Sequence, residues 1–204
     1  ASDASQASVV IELSSDNTIR ENERLSTVTF TDGLLSLRPG GNVACDVIDR
    51  VMRQNCVPGF DYVETQDVAL GALTNVSRMR RILMAVYYCG HWVAVTAQFD
   101  DPLILVFDSL RDYAHIYRKV ALERVRALLC RTWKRTKKVV LKACRQQGAG
   151  SNDCGAHAVE NLLATQGDTR TVPRRKLRML YVAAAAHDGV GCATSLCFGQ
   201  VCEK

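Results

Sequence analysis

The chain has 204 residues, 48% of them hydrophobic and 23% charged, with a net charge of +5. That balance suits one sizeable globular domain and excludes a low-complexity or collagen-like chain. No apolar run reaches the length of a membrane span and the first residues lack a charged-then-apolar leader, so neither a membrane helix nor a secretory signal is expected.

Residues 1–25 are polar apart from Val9-Val10-Ile11 and are expected to form a mobile arm, followed by a single domain over residues 26–204. Thr27 to Leu37 holds Val28, Phe30, Leu34, Leu35 and Leu37 around the turn signal Asp32-Gly33, and Arg38-Pro39-Gly40-Gly41 is a clear breaker. From Cys45 to Arg53 the period becomes helical. Val47, Ile48, Val51 and Met52 share one face, Asp46, Asp49 and Arg50 lie outside it, and Asn42 is a candidate cap. Pro58-Gly59 closes that element, and Val68 to Met79 reads as a weaker helix or a loop.

The middle of the chain changes period. Ile82 to Tyr88, Trp92 to Gln98 and Leu103 to Phe107 read as three buried strands, the last two joined by the turn Asp100-Asp101-Pro102. Tyr113 to Arg131 reads as a long helix with Ile116, Leu122, Val125, Leu128 and Leu129 as its apolar stripe. Val139-Val140-Leu141 is short and β-branched, hence a fourth strand. A helix begins near Cys154, with Ala158, Val159, Leu162 and Leu163 on its buried face. Pro173 opens a last helix through Leu177, Leu180, Tyr181 and Ala184. Strands set between helices indicate an α+β domain.

The segment 118–145 is densely basic, with Glu123 its single acid, and Arg174, Arg175, Lys176 and Arg178 form a second basic cluster. Such density suits an acidic partner or nucleic acid, but a solvated helix face is the commoner origin and the favoured reading. Trp133 is the only aromatic within 119–145, so a stacking platform for single strands is not indicated. Nine scattered cysteines are no disulfide framework, and an intracellular, reducing compartment is expected. Cys192, Cys197 and Cys202 could join His187 around zinc, but structural zinc sites present tighter pairs, so no metal or other cofactor is expected.

The chemistry gathers around Gln146-Gln147-Gly148-Ala149-Gly150-Ser151-Asn152-Asp153-Cys154-Gly155. Ser151, Asn152 or Asp153 can cap the helix that follows. At a helix N-terminus the unpaired amides and the dipole favour a thiolate, and a side-chain amide just upstream can serve as an oxyanion donor. A buried core cysteine would fit the same pattern. A nucleophile needs a base and the base an orienting group. His91 stands at the mouth of a strand and Asp108 at the end of the next, and antiparallel pairing would bring those two ends together. His157, one helical turn past Cys154, reads as structural or surface, and His115 and His187 have no comparable support.

Taken together, His91-Trp92, Asp108-Ser109-Leu110 and the Gln-containing loop ending in Asp153-Cys154-Gly155 resemble the Ulp/SENP cysteine proteases. These remove SUMO and related ubiquitin-like modifiers and share a core with the adenovirus protease. Upstream, Leu34-Leu35-Ser36-Leu37-Arg38-Pro39 resembles the family's Leu-rich turn, and Val43-Ala44-Cys45-Asp46 occupies its Trp-Leu-Asn-Asp motif. The resemblance implies a papain-like core of the Ulp/adenain type, a central mixed sheet flanked by helices. It implies Cys154 as nucleophile, His91 as general base and then acid, and Asp108 as its orienter. Gln147 would donate to the oxyanion with the Cys154 amide, Gln146 being the rival because the loop is slightly longer than in SUMO proteases. Trp92 would wall the channel for a Gly-Gly tail, and Asp46 would meet a basic residue of the modifier. Val43 replaces the family's Trp and Cys45 its Asn, so one channel wall is reduced. The expected partner is SUMO, ubiquitin or a relative. Alternatives are an adenain-like endopeptidase whose 118–145 segment recruits nucleic acid or an acidic cofactor, a non-catalytic binding module, and an acetyltransferase on the same scaffold.

Overall fold

The apolar runs of the middle of the chain pair into a five-stranded mixed sheet in the order β1–β2–β3–β4–β5. Its strands are β1 (Asp61–Val63), β2 (Arg81–Tyr88), β3 (His91–Gln98), β4 (Leu103–Phe107) and β5 (Lys138–Lys142). The structure is a computed structural model describing residues 29–71, 78–88, 90–110, 115–148 and 150–188, without the side chains of 115–118 and 120. The expected arm over 1–25, the tail cysteines Cys192, Cys197 and Cys202, and the stripe residue Ile116 as a side chain fall outside the described residues.

β2, β3 and β4 are antiparallel neighbours, whereas the edge strands β1 and β5 run parallel to β2 and β4. Side chains alternate across a pleated strand, so each strand feeds two cores. Leu83, Ala85, Trp92 and Ala94 face one side with α1 (Phe30–Ser36), α2 (Cys45–Asn55), α5 (Cys154–Thr165) and α6 (Arg174–His187). Ile82, Met84, Val86, Val93, Val95, Ile104 and Val106 face the other, under α4 (His115–Trp133). Leu122, Val125 and Leu129 of the expected stripe are buried there, with Leu128 at its margin.

The four expected strands and the helices at Cys45, Cys154 and Pro173 are present, within a residue or two of their expected bounds. Four local readings need correction. Asp32-Gly33 is no turn: Thr29 and Asp32 form a capping box, and α1 runs through them. Asn42 does not cap α2; Ala44 holds the N-cap position, and its amide donates to Ser36 Oγ at 3.2 Å. Asp49 is not outside the buried face but buried. It accepts from Tyr62 Oη at 2.7 Å and from the Thr65 amide at 2.9 Å, which caps the short helix α3 (Thr65–Leu70) from outside its own sequence. α3 begins before the expected Val68 and stops at Gly71, which takes a left-handed φ of 66°. β1 has no counterpart among the expected strands, because three residues show no period.

α1 and α6 meet at a glycine. A Cβ on Gly33 would lie 2.3 Å from Tyr181 Oη. The Tyr181 ring is fully buried and its hydroxyl donates to Asp46 Oδ2 at 2.7 Å, so it cannot step aside. Gly33→Ala is therefore expected to destabilise the protein by about 1–3 kcal/mol, read as a lower urea midpoint at unchanged m-value.

Candidate active site

β3 and β4 pair with Ala94 opposite Phe107, so the first residue of β3 and the residue just past β4 come together at one end of the sheet. There His91 Nε2 donates to Asp108 Oδ1 at 2.8 Å. The same oxygen accepts the Leu110 amide at 2.8 Å, and Asp108 is buried, which fixes the carboxylate. With Nε2 committed to Asp108, the buried Nδ1, which makes no hydrogen bond of standard geometry, is the nitrogen left for Cys154.

Cys154 is the first residue of α5, and this helix lies against β3. Burial alone would raise its thiol pKa. The hydrogen bond from His91, the Trp92 amide, the charge on His91 and the Gly155 amide together outweigh burial and lower it. For His91 burial works downward, and the hydrogen bonds to Asp108 and Cys154 with their charges overcome it, raising the imidazole to about 9. The two shifts favour a thiolate beside an imidazolium. Cys56, by contrast, has its thiol pushed up by burial.

Gly155 is required where it stands, since a Cβ there would lie 2.5 Å from Val43 Cβ. Of the three candidate caps, Asp153 takes the N-cap position, yet its side chain makes no capping bond. Its oxygens are engaged elsewhere: Arg174 Nε donates to Oδ1 at 2.8 Å and Ser151 Oγ to Oδ2 at 2.7 Å.

The loop from β5 to α5 is bound to the end of β4. The Gln147 amide donates to Ser109 O at 3.0 Å, Ser109 Oγ to Gln147 Oε1 at 3.3 Å, and Gln147 Nε2 to Ser151 O at 2.9 Å. Gln146 is exposed, and its Nε2 donates to Asp108 O at 3.0 Å and Cys144 O at 3.2 Å. Gln147 is thus half-buried and held within the loop that leads to Cys154. Arg145 anchors the start of this loop to α5 through paired bonds of 3.0 and 2.6 Å to Glu160.

Trp92 is buried, and its indole N–H donates to Val43 O at 2.9 Å. Tyr87, its partner across the β2–β3 ladder, lies 4.8 Å from it between ring centroids and is 51% exposed. Tyr87 is thus the aromatic presented to solvent beside Trp92, and strand register was the signal that could have found it. Asp46 is engaged within the protein, accepting from Tyr181 and lying 3.8 Å from Arg50. His157 is buried in α5, and burial holds its imidazole below the ordinary range.

The basic segments divide. Lys137 is buried, donating to Gln98 O at 2.7 Å, Phe99 O at 2.9 Å and Asp101 O under the Trp133 ring. It fastens the β3–β4 turn. Arg124, Arg131, Lys134, Lys138 and Lys142 are exposed. Among the described residues no three His, Cys, Asp or Glu side chains converge as for a metal ion, and no helix is long and apolar enough to cross a membrane.

No protein-family model matches the sequence, and neither does any curated protein. Solved structures do share the fold. The SUMO protease Ulp1, with its catalytic cysteine oxidised to a sulfonic acid, superposes with a TM-score of 0.60 at 16% identity, over 78% of this chain and 84% of that one. The C-terminal Ulp1 protease domain in complex with Smt3, the yeast ortholog of SUMO, gives 0.59 at 15% identity, over 78% and 82%. A de-sumoylating protease gives 0.53 at 12% identity, over 78% and 90%. The chain has the Ulp1-type fold, a mixed sheet flanked by helices.

Among the nine cysteines, Cys154 is expected to react fastest with iodoacetamide at neutral pH, as read by peptide mapping. Asp108→Ala removes the carboxylate that holds the imidazolium, and should slow that alkylation about tenfold, the equivalent of one pKa unit.

Proposed function

We propose that the protein is a cysteine protease that cleaves after the C-terminal Gly-Gly of SUMO, ubiquitin or a related modifier. The observation that carries this reading is the chain of contacts from Asp108 through His91 to the lowered thiol of Cys154 at a helix N-terminus. The Ulp1-type fold supports it, since Ulp1 is itself a SUMO protease and has been captured in complex with Smt3.

In this reading the Cys154 thiolate attacks the carbonyl carbon of the last glycine, and the carbonyl electrons move onto oxygen. The Cys154 amide and the Gln147 carboxamide stabilise that oxyanion. Gln147 Nε2 carries two protons, and one suffices for Ser151 O. The imidazolium of His91 gives its proton to the leaving amine as the C–N bond breaks, which leaves a thioester. His91, now neutral, takes a proton from water as it attacks the thioester, and the modifier leaves with a free carboxylate. Asp108 keeps the ring oriented throughout and does not itself take the proton. Trp92 and the exposed Tyr87 would border the channel for the diglycine tail. The protein would act inside the cell, where such conjugates form.

A polyprotein-processing endopeptidase of the adenain type would use the same thiolate. What favours it is Val43, which stands where the resemblance places the SUMO proteases' Trp; the smaller side chain would reduce that wall of the channel and admit side chains larger than glycine's hydrogen.

Modifier probes bearing a C-terminal electrophile test the reading directly. SUMO or ubiquitin probes are expected to label Cys154 and to fail with Cys154→Ala; a folded protein labelled by none of them, yet cleaving larger-residue peptides, would favour the endopeptidase. Gln147→Ala is expected to lower kcat about 10²–10³-fold with labelling of Cys154 retained, whereas Gln146→Ala should leave kcat nearly unchanged.

A further inference from the structure

Arg174 belongs to a basic cluster that reads as solvated surface in the sequence, but in the structure it is largely covered, with 13% of its side chain exposed. It is the first residue of α6, and its guanidinium reaches four acceptors in two separate parts of the chain. Nε donates to Asp153 Oδ1 at 2.8 Å and Nη2 to Asn152 O at 2.6 Å. Nη1 donates to Ser36 O and to Arg38 O, both at 3.1 Å. Asn152 Nδ2 adds a bond of 2.7 Å to Gly40 O in the same turn. The residues just before Cys154 are thereby tied to the turn that follows α1.

The consequence lies in what Asp153 does not do. An aspartate at an N-cap ordinarily turns its carboxylate onto the amides of the first helical turn. Here the bond is absent: Asp153 has φ −86° and ψ 9° rather than an extended backbone, and Arg174 and Ser151 hold its two oxygens away from the amides. A carboxylate turned inward would take amides of the first turn, of which the Gly155 amide faces the Cys154 sulfur, and would set a negative charge beside the thiolate.

We infer that Arg174 is a positioning residue for Cys154: it draws the Asp153 carboxylate off the N-terminus of α5 and neutralises it, leaving the first amides of the helix to the sulfur and to the oxyanion. This rests on reading Cys154 as the nucleophile. The charged and titratable groups on the elements around the thiol are His91 from β3, Asp108 past β4, Asp153 just before α5, His157 and Glu160 on α5, Arg145 from the preceding loop, bonded to Glu160, and Arg174 from α6. Of these, Arg174 is the one whose contact with Cys154 runs entirely through Asp153.

The test is the pH dependence of Cys154 alkylation by iodoacetamide, followed by peptide mapping, which needs no modifier substrate. Arg174→Ala is expected to move the alkylation profile to higher pH and to slow the reaction at pH 7 about five- to tenfold. Arg174→Ala with Asp153→Ala should recover to within about threefold of wild type, since the misplaced carboxylate is then gone. A merely structural arginine would show no such recovery. If Arg174→Ala does not fold, Arg174→Gln, which keeps an amide donor for the carbonyls, carries the same comparison with and without Asp153→Ala. A reactive Cys154 unaffected by loss of Arg174, or slowed without recovery in the double variant, overturns the role of Arg174 alone. A wild-type Cys154 no faster than the other cysteines overturns the nucleophile, and this role with it.

Discussion

The hydrogen bond from His91 to Asp108 is short in space but rests on a long reach of the sheet. It exists only because β3 and β4 pair with Ala94 opposite Phe107, which sets the start of one strand beside the end of the other. A slip of one residue would turn the side chains of β4 to the opposite face and separate the pair. Ile104 and Val106 hold that register from the α4 side, and Lys137 fastens the turn between the strands. α5 then brings the third member in end-on, against β3, so Cys154 meets His91 at the place where a helix N-terminus faces the strand ends. Burial opposes both charged forms here, and the mutual stabilisation of thiolate and imidazolium overcomes it.

The loop before Cys154 has to be rigid without a regular element of its own. Ser109 and Ser151 hold Gln147, Arg145 grips Glu160, and Asn152 and Arg174 tie its end to the turn after α1. The Arg145 and Arg174 bonds are charge-assisted, and the Arg174 side chain is largely covered, so its bonds keep more of their strength than those of a surface charge would. The glycine at position 155 lets the Val43 side chain pack directly against the start of α5, next to Cys154.

The parts of this arrangement that repeat with a period were legible in the chain. Strands at Ile82, Trp92 and Leu103 and the helix at Cys154 follow from alternation or from helical spacing, and the order His91, Asp108, Gln147, Cys154 could be read along them. What could not be read depends on partners far apart in sequence. Asp49 looks like an outward helix residue until Tyr62 and Thr65 fold over it, and Arg174 looks like one more surface charge until Asp153 and the carbonyls of Ser36 and Arg38 converge on it. Asp32-Gly33 looks like a turn because the reason for the glycine is Tyr181, nearly 150 positions later. Composition likewise overstated the basic surface, since Lys137 and Arg174 are engaged internally while Arg124, Arg131 and Lys142 remain outside.

The protonation state of His91 carries the whole account, and nitrogen-15 NMR of the imidazole rings reads it directly. With the ring bonded to Asp108 and beside the Cys154 sulfur, His91 should be doubly protonated at pH 7 and lose its proton at about pH 9, while the buried His157 titrates below 6.5. A His91 that is neutral at pH 7 and titrates near the ordinary histidine value would contradict the thiolate–imidazolium pair on which the proposed chemistry depends.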